Sequence, residues 1–230
     1  MVLKLRIKFC DGEECMWLRM TNLGLCCLTL ASLASSATAD NWQHWRGPTG
    51  NGVSLTAKPP VQWDAQTIKW KSPIPGLGSG TPAVWEDKIF VMTAVPTRGG
   101  SPNSRTELSF NVLCYSRDDG KLLWEKTAKT TTPHQDTHNT NTFASASPCT
   151  DGERVYANFG SQGVYCYTLE GDLVWKRDDF GKMDIRNSFG EGSSPTLEGS
   201  MLLLPWDHEG ESFLAALDKA TGKTIWKSER

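Results

Sequence analysis

The sequence predicts an all-β protein, a partial β-propeller of about three four-stranded antiparallel blades plus a leading outer strand. Four tryptophans recur at intervals of 54, 51 and 51 residues, a period typical of propeller blades. They are Trp70, Trp124, Trp175 and Trp226. Three of them end a Gly-x-x-x-Trp segment that starts at Gly120, Gly171 or Gly222. The 10 Trp, 21 Gly and 12 Pro among 230 residues also favour short strands joined by tight turns.

Each repeat is predicted to contain four strands, because its apolar runs are too short for helices and turn residues separate them. Four antiparallel strands in about 50 residues make one propeller blade. In the second repeat the predicted strands are 147–150, 154–159, 164–169 and 173–177. The blades are predicted at 80–126, 146–177 and 193–228, within residues 80–230, and the leading outer strand at 68–71, within an N-terminal segment 40–79.

The repeated tryptophans are predicted to dock one blade on the next. One four-stranded sheet cannot bury both faces alone, so an indole on the outer strand can fill the gap to a neighbour, a gain of roughly 1.5–3 kcal/mol or more. The preceding glycine lets the turn between the third and fourth strands adopt a positive φ. Sugar stacking and electron transfer are alternative roles for these rings, and packing is favoured over both.

The first 39 residues are predicted to be a secretory signal peptide. Arg19 supplies the positive start, residues 23–34 the apolar run, and Ala37-Thr38-Ala39 a cleavage site after Ala39. The apolar run is about 12 residues long, short of the roughly 20 that cross a bilayer, so we expect no membrane span after cleavage. The charged residues 1–15 indicate a start codon assigned too far upstream. The mature protein is expected in the periplasm or outside the cell.

Net charge disfavours two classes of binding partner, and the number of cysteines limits disulfide pairing. The 24 basic and 26 acidic side chains give a net charge of −2, which disfavours nucleic-acid partners and anionic membrane surfaces. Three cysteines follow the signal, namely Cys114, Cys149 and Cys166. In an oxidising compartment they cannot all pair. We interpret Cys114 and Cys166 as small buried strand residues, and one disulfide among the three stays open.

The third repeat carries the most specific signature. The stretch from Ala216 to Trp226 resembles the tryptophan-docking motif of the pyrroloquinoline-quinone-like (quinoprotein-type) β-propeller repeat family, Ala-x-Asp-x-x-Thr-Gly-x-x-x-Trp. The earlier copies place Cys114 or Cys166 at the alanine position and lack the threonine. The Asn-Trp-x-x-Trp-Arg-Gly-Pro opening at 41–48 is similar to secreted bacterial members. The resemblance implies a ring of about six to eight blades. Three blades cannot close such a ring, so we expect a truncated copy.

The long connections between blades carry the candidate ligand-binding groups. Connections between blades and between the second and third strands emerge on one face of a propeller, and long loops there tend to be functional. His134, His138 and His208 would form a divalent-metal site if their loops converge. Solvated loop histidines, or histidines packed over the channel mouth, are the alternative interpretation.

The family resemblance also implies a possible quinone cofactor. Pyrroloquinoline quinone (PQQ) with calcium needs cationic groups and carboxylate and amide oxygens. Residues of suitable type in suitable loops are Arg186, Asn187, Asp207 and Glu209. No motif shows that they form such a cage, and no cofactor is demonstrable from the sequence.

Two functional classes stay open at this point. The favoured one is a non-catalytic binding or scaffold module that presents its long-loop face to a protein, peptide or glycan. The alternative is a PQQ-dependent quinoprotein dehydrogenase that oxidises an alcohol or sugar, truncated here. Fold alone does not choose between them. No catalytic residue is assigned.

Overall fold

The computed structural model describes residues 40–103 and 105–230, so the predicted signal peptide lies outside the described residues. Within them, twelve strands form three separate four-stranded antiparallel sheets. Blade 1 contains β1 (Ala83–Trp85), β2 (Lys88–Pro96), β3 (Leu108–Ser116) and β4 (Leu122–Thr131). Blade 2 contains β5 (Cys149–Thr150), β6 (Arg154–Asn158), β7 (Val164–Thr168) and β8 (Leu173–Arg177). Blade 3 contains β9 (Thr196–Glu198), β10 (Met201–Trp206), β11 (Phe213–Asp218) and β12 (Thr224–Glu229).

Each sheet keeps its strands in chain order, and the sheets meet along their first strands. Strand β5 contacts β1 on one side and β9 on the other, while β4, β8 and β12 are outer edges. This is the arrangement of propeller blades around an axis. The predicted partial β-propeller of three four-stranded blades is therefore confirmed.

Two apolar clusters fill the spaces between the blades. The first joins blades 1 and 2 and includes the buried side chains of Phe90, Phe110 and Val155. The second joins blades 2 and 3 and includes Tyr156 and Leu202. Each blade thus buries a face that it could not cover alone, which makes stacking the main source of stability.

The outer strand of every blade has the same irregularity. The ladder between the third and fourth strands shifts register directly after Cys114, Cys166 and Ala216. In each blade that small residue lies opposite the repeated tryptophan: Cys114 pairs with Trp124, Cys166 with Trp175, and Ala216 with Trp226. A bulge re-aims a side chain, and a small cross-strand partner leaves room for the large ring.

Three of the repeated indoles donate a hydrogen bond to the neighbouring repeat. The Nε1 of Trp70 donates to the Arg117 carbonyl (2.9 Å), that of Trp124 to the Leu169 carbonyl (2.8 Å) and that of Trp175 to the Lys219 carbonyl (3.0 Å). Each acceptor lies in the turn between the third and fourth strands of the blade that follows. The same indoles are half-buried or buried. Trp124 and Trp175 therefore each connect two blades by packing and by a polar contact, and Trp70 connects the N-terminal segment to blade 1 in the same way.

The repeated glycines receive these indoles. Gly120, Gly171 and Gly222 have φ values of 70°, 90° and 72°. A Cβ at Gly120 would lie 2.5 Å from the Trp70 ring, one at Gly171 2.9 Å from the Trp124 ring, and one at Gly222 2.7 Å from the Trp175 ring. Each of these positions therefore requires glycine for two reasons, namely its left-handed backbone and its contact with the preceding tryptophan of the repeat.

Residues 40–79 lie against blade 1. Trp42 exchanges two backbone hydrogen bonds with Val84, each 2.8 Å long, and Leu77 bridges to Ala94. The predicted outer strand at 68–71 needs correction, because these residues join no sheet of the described chain. A strand requires a ladder partner, and the described residues supply none beside this segment.

The first strand of blade 2 starts later than predicted, for a local reason. Strand β5 begins at Cys149 and not at Ser147, because Pro148 has no N–H and the Ser147 N–H donates to Ser194 Oγ (2.9 Å).

Cys114, Cys149 and Cys166 are buried free thiols in the described chain, so none of them forms the disulfide left open above. Within the described residues, no helix has the length and apolarity that a bilayer crossing demands.

Candidate functional site

The long connections meet on one face, which we call the loop face. It consists of the loops 132–148, 159–163, 178–195 and 207–212. The turns that receive the indoles belong to the opposite end of the sheets. The loop face is therefore built on a rigid base of strands, a common way to support a binding surface.

Residues 183–185, which we call the hub, hold the loops together. Three consecutive amides of the hub donate, in chain order, to Ser161 Oγ (2.7 Å), His208 Nδ1 (3.1 Å) and Gln135 Oε1 (3.0 Å). Each acceptor comes from a different loop. These three hydrogen bonds therefore join each of the other three loops of the face to loop 178–195.

The hub carbonyls are bound in the same way. His134 Nε2 lies 2.7 Å from the Met183 carbonyl oxygen, and Gln135 Nε2 donates to the Ile185 carbonyl (2.8 Å). The Glu209 N–H donates to the Asp184 carbonyl (2.9 Å). Because a carbonyl can only accept, His134 carries a proton on Nε2. The irregular backbone of the hub thereby finds the hydrogen-bond partners that a neighbouring strand would provide in a sheet.

The tip of loop 178–195 presents an aromatic ring. Phe189 is 54% exposed, and its ring lies 5.3 Å from that of His138, centroid to centroid. Its carbonyl accepts from Asn141 Nδ2 (2.8 Å) and from Thr137 Oγ1 (3.4 Å). The preceding Asn187 and Ser188 both have left-handed φ values, 53° and 52°. Neighbouring side chains thus hold the backbone of Phe189 in place directly after two residues in a costly left-handed conformation.

A half-buried carboxylate lies beside the hub. Glu191 Oε2 accepts from the Ser161 N–H (2.6 Å) and Oε1 from the Ser161 hydroxyl (2.5 Å). Burial raises the pKa of Glu191 above its usual range, while the bonds from Ser161 and the nearby His134 and His208 act in the opposite direction. A Cβ at Gly160 would lie 1.8 Å from Glu191 Oε2, so the carboxylate needs glycine there.

Two adjoining clefts share this carboxylate. The larger is an open cleft between loops 132–148 and 178–195, and the smaller lies beside it. Both are lined by Phe143, Phe159 and Glu191. The larger cleft also has Phe110, His134 and Asp136 in its wall, together with Pro133, Gln135, Thr137, Thr142, Gln162 and Gly190.

The histidines predicted as metal ligands serve other partners. His134 binds a hub carbonyl, and His208 Nδ1 accepts the Asp184 N–H (3.1 Å). His138 Nδ1 lies 2.8 Å from Thr140 Oγ1 in its own loop. The part of the chain that the structure describes contains no group of three or more His, Cys, Asp or Glu side chains that could hold a metal ion. One ring nitrogen of each histidine therefore fixes loop conformation, and a metal site at these residues stays a prediction.

The residues predicted to hold PQQ and calcium do not form a cage. Arg186, Asn187, Asp207 and Glu209 are all exposed. Asp207 forms a 2.8 Å ion pair with Arg230 Nη1, which already neutralises that carboxylate. A quinone and a hard cation require converging oxygens and a stacking surface. The described residues at these four positions do not fit the group.

The groups that organise the loop face were missed by sequence reasoning. Ser161 lies in a short Gly-Ser-Gln-Gly turn, and Gln135 differs in no way from a solvated loop residue. Their partners are backbone atoms far along the chain, at separations of 22 and 50 residues. Side chain to backbone contacts of that range leave no spacing pattern.

Three stacked four-stranded blades, docked by repeated indoles, define a β-propeller of PQQ-like repeats. The family model described as "Outer membrane protein assembly factor BamB" matches residues 55–228. The chain belongs to this family. A comparison with curated proteins found no match.

A solved structure shows the same fold at low identity. The chain is similar to a quinohemoprotein alcohol dehydrogenase from Comamonas testosteroni, at 12% identity and a TM-score of 0.54, covering 85% of this chain and 28% of that one. It is also similar to BamB from Moraxella catarrhalis, at 15% identity and a TM-score of 0.38, covering 71% and 40%. A europium-containing methanol dehydrogenase gives 11% identity and a TM-score of 0.46, covering 68% and 25%. The chain spans less than half the length of each protein, and the two lower TM-scores support no further conclusion.

Proposed function

We propose that this chain is a non-catalytic binding module of the bacterial cell envelope that presents its loop face to a protein partner. The observation that carries the proposal is the hub, whose three amides are each bound by a side chain from a different loop. Loops ordered before binding lose little conformational entropy when a partner arrives. A pre-organised surface is therefore suited to recognition.

Phe189 is the proposed anchor of that surface. Interface energy concentrates in a few aromatic and arginine side chains that are held in place before binding. Phe189 is 54% exposed, yet Asn141 and Thr137 bind its carbonyl. An apolar pocket or side chain on a partner would gain by covering this ring.

The dehydrogenase alternative has no comparable support. Arg186, Asn187 and Glu209 lie exposed, and Asp207 is paired with Arg230. The likeness to a quinohemoprotein alcohol dehydrogenase shows the fold, at 12% identity. We expect no dye reduction with simple alcohols when the full chain is incubated with PQQ and calcium.

A periplasmic or secreted location accompanies the proposed function. The signal-like residues 1–39 and the family's description as an outer-membrane-protein assembly factor both support it. Cell fractionation with an antibody tests the location directly. Recovery in the cytoplasm would contradict it.

Site-specific photocrosslinking in the source organism tests the proposed surface. A photoreactive phenylalanine analogue replaces Phe189 in one variant and Leu173 in the other. The two side chains are equally exposed, at 54%, but Leu173 lies beside the turns at the opposite end of the sheets. We expect a discrete crosslinked species from position 189 and none from position 173. Equal crosslinking at both positions, or none at 189, would refute a loop-face partner. A product sensitive to glycosidase would identify a glycan in place of a protein.

A further inference from the structure

We propose that the larger cleft of the loop face is a recognition pocket for an arginine side chain of the partner. This inference rests on the proposed binding function and names the chemistry that one part of the loop face recognises. It is carried by three features of the cleft, namely its charge, its fixed carboxylate and the half-buried ring of Phe143.

The charge of the cleft is negative. Its ionisable wall residues are Asp136, Glu191 and His134, and no Lys or Arg occurs among the described residues that line it. His134 already donates its Nε2 proton to a hub carbonyl. A concave site with two carboxylates and no basic side chain attracts a cation.

The carboxylate of Glu191 is held in place before any ligand binds. Both of its oxygens accept from Ser161, at 2.6 Å and 2.5 Å, and the left-handed turn at Gly160 (φ 55°) admits it. Each carboxylate oxygen has a second lone pair for a further donor. The pKa of Glu191 is raised by burial, so a bound cation would relieve the cost of its charge. A positioned but poorly solvated carboxylate is suited to a charge-assisted hydrogen bond.

The ring of Phe143 favours guanidinium over ammonium. Phe110, Phe143 and Phe159 line the cleft, but Phe110 and Phe159 are 1% and 4% exposed and belong to the core, so the half-buried Phe143 is the ring on which a cation can stack. A guanidinium group is planar, weakly hydrated and able to stack on an aromatic face while it donates to a carboxylate. A lysine ammonium is strongly hydrated and lacks the planar fork. The cleft therefore selects arginine.

The smaller cleft gives the pocket a continuation. It meets the larger one at Phe143, Phe159 and Glu191, and its far wall includes Gly192 and Ser193. Glu191 therefore borders both clefts.

Calorimetric titration of the full chain tests the pocket. The probes are N-acetyl-arginine amide, N-acetyl-lysine amide and N-acetyl-citrulline amide, the last a neutral analogue of arginine with nearly the same shape. We expect saturable binding of the arginine probe, with the citrulline probe weaker by about tenfold or more and the lysine probe in between. Glu191→Gln should weaken arginine binding by about tenfold or more, and Asp136→Asn by less.

Folding of both variants is checked by their circular dichroism spectra. If Glu191→Gln unfolds, Asp136→Asn and the citrulline comparison still decide the question. Equal binding of arginine and citrulline, no binding of arginine, or full binding by both folded variants would overturn the pocket. Persistence of the Phe189 crosslink in that event would leave the loop-face partner intact, whereas loss of the crosslink alone would refute the broader function.

Discussion

Replacement of Gly222 by alanine is a direct probe of how the blades are joined. Gly222 has φ 72°, and a Cβ there would lie 2.7 Å from two atoms of the Trp175 ring. Gly199 offers a matched control, because its φ is 56° and nothing lies within 4 Å of its Cβ position. Both replacements place an L side chain in the left-handed region, at about 1–2 kcal/mol each. Both also reduce the entropy of the unfolded chain to a similar degree.

The indole contact should separate the two variants. At Gly222 the added methyl group must push the Trp175 ring away, which overpacks the space between blades 2 and 3 at about 1–3 kcal/mol. It also strains the 3.0 Å bond from the indole to the Lys219 carbonyl, worth about 0.5–1.5 kcal/mol. We therefore expect a free energy of unfolding lower by about 3–5 kcal/mol for Gly222→Ala and by about 1–2 kcal/mol for Gly199→Ala.

Urea unfolding of the full chain, followed by tryptophan fluorescence, measures both variants on one scale. A difference within about 0.5 kcal/mol would refute the reasoning, because it would mean that the indole does not depend on the glycine.

Three further predictions concern the outer tryptophans, the buried carboxylate and the thiols. Trp175 is 9% exposed and Trp226 is 40% exposed. Trp175→Ala should therefore lower the free energy of unfolding by about 3–5 kcal/mol, and Trp226→Ala by about half of that or less. Equal losses in urea titrations of the two variants would contradict this order. Ser161→Ala removes a donor that lowers the pKa of Glu191, so this pKa should rise further against the opposing influence of His134 and His208, as measured by carbon-13 NMR titration. A raised carboxyl pKa gives stability at low pH that is lost as the pH rises through that pKa. The stability deficit of this variant should therefore grow as the pH rises above the ordinary carboxyl range, and a constant deficit would count against the assignment. Burial raises the pKa of the Cys114 and Cys166 thiols to about 12, so alkylation at neutral pH mapped by mass spectrometry should label both sites in urea and neither in the native protein.

The fold was predictable because its determinants repeat. The Trp and Gly positions recur once per blade, and the strands between turns are marked by short apolar runs. The direction of docking was not predictable from one repeat, since the Trp124 ring meets Gly171 of the next blade and not Gly120 of its own. The bulge opposite each tryptophan likewise depends on the ladder and leaves no sequence signal.

The departures from the docking motif have a simple physical reason. In blade 3, Asp218 Oδ1 accepts from the Thr221 N–H (2.8 Å) and hydroxyl (2.7 Å), which closes the turn. In blade 2, Thr168 Oγ1 accepts the Asp172 N–H (3.1 Å) and substitutes for the aspartate. A hydroxyl and a carboxylate both close such turns, so the geometry survives the change in sequence.

The loop face was predictable in position but not in the roles of its residues. Polar residue types alone predicted metal ligation by His134 and His208, yet both side chains bind backbone groups of the hub. Loops without regular structure must satisfy their own amides, and side chains from neighbouring loops do so here. Which side chains bind these amides depends on how the loops pack together, and a single sequence does not show that packing.

Hydrogen exchange at the hub measures the proposed pre-organisation most directly. The amides of 183–185 are bound by Ser161, His208 and Gln135, whereas Gly181 in the same loop is exposed and has nothing within 4 Å of its Cβ position. NMR-detected exchange should show the hub amides slower than Gly181 by about tenfold or more after correction for intrinsic rates. Exchange of the hub at the rate of Gly181 would mean that the loops are not held together, and a pre-formed binding surface would be contradicted.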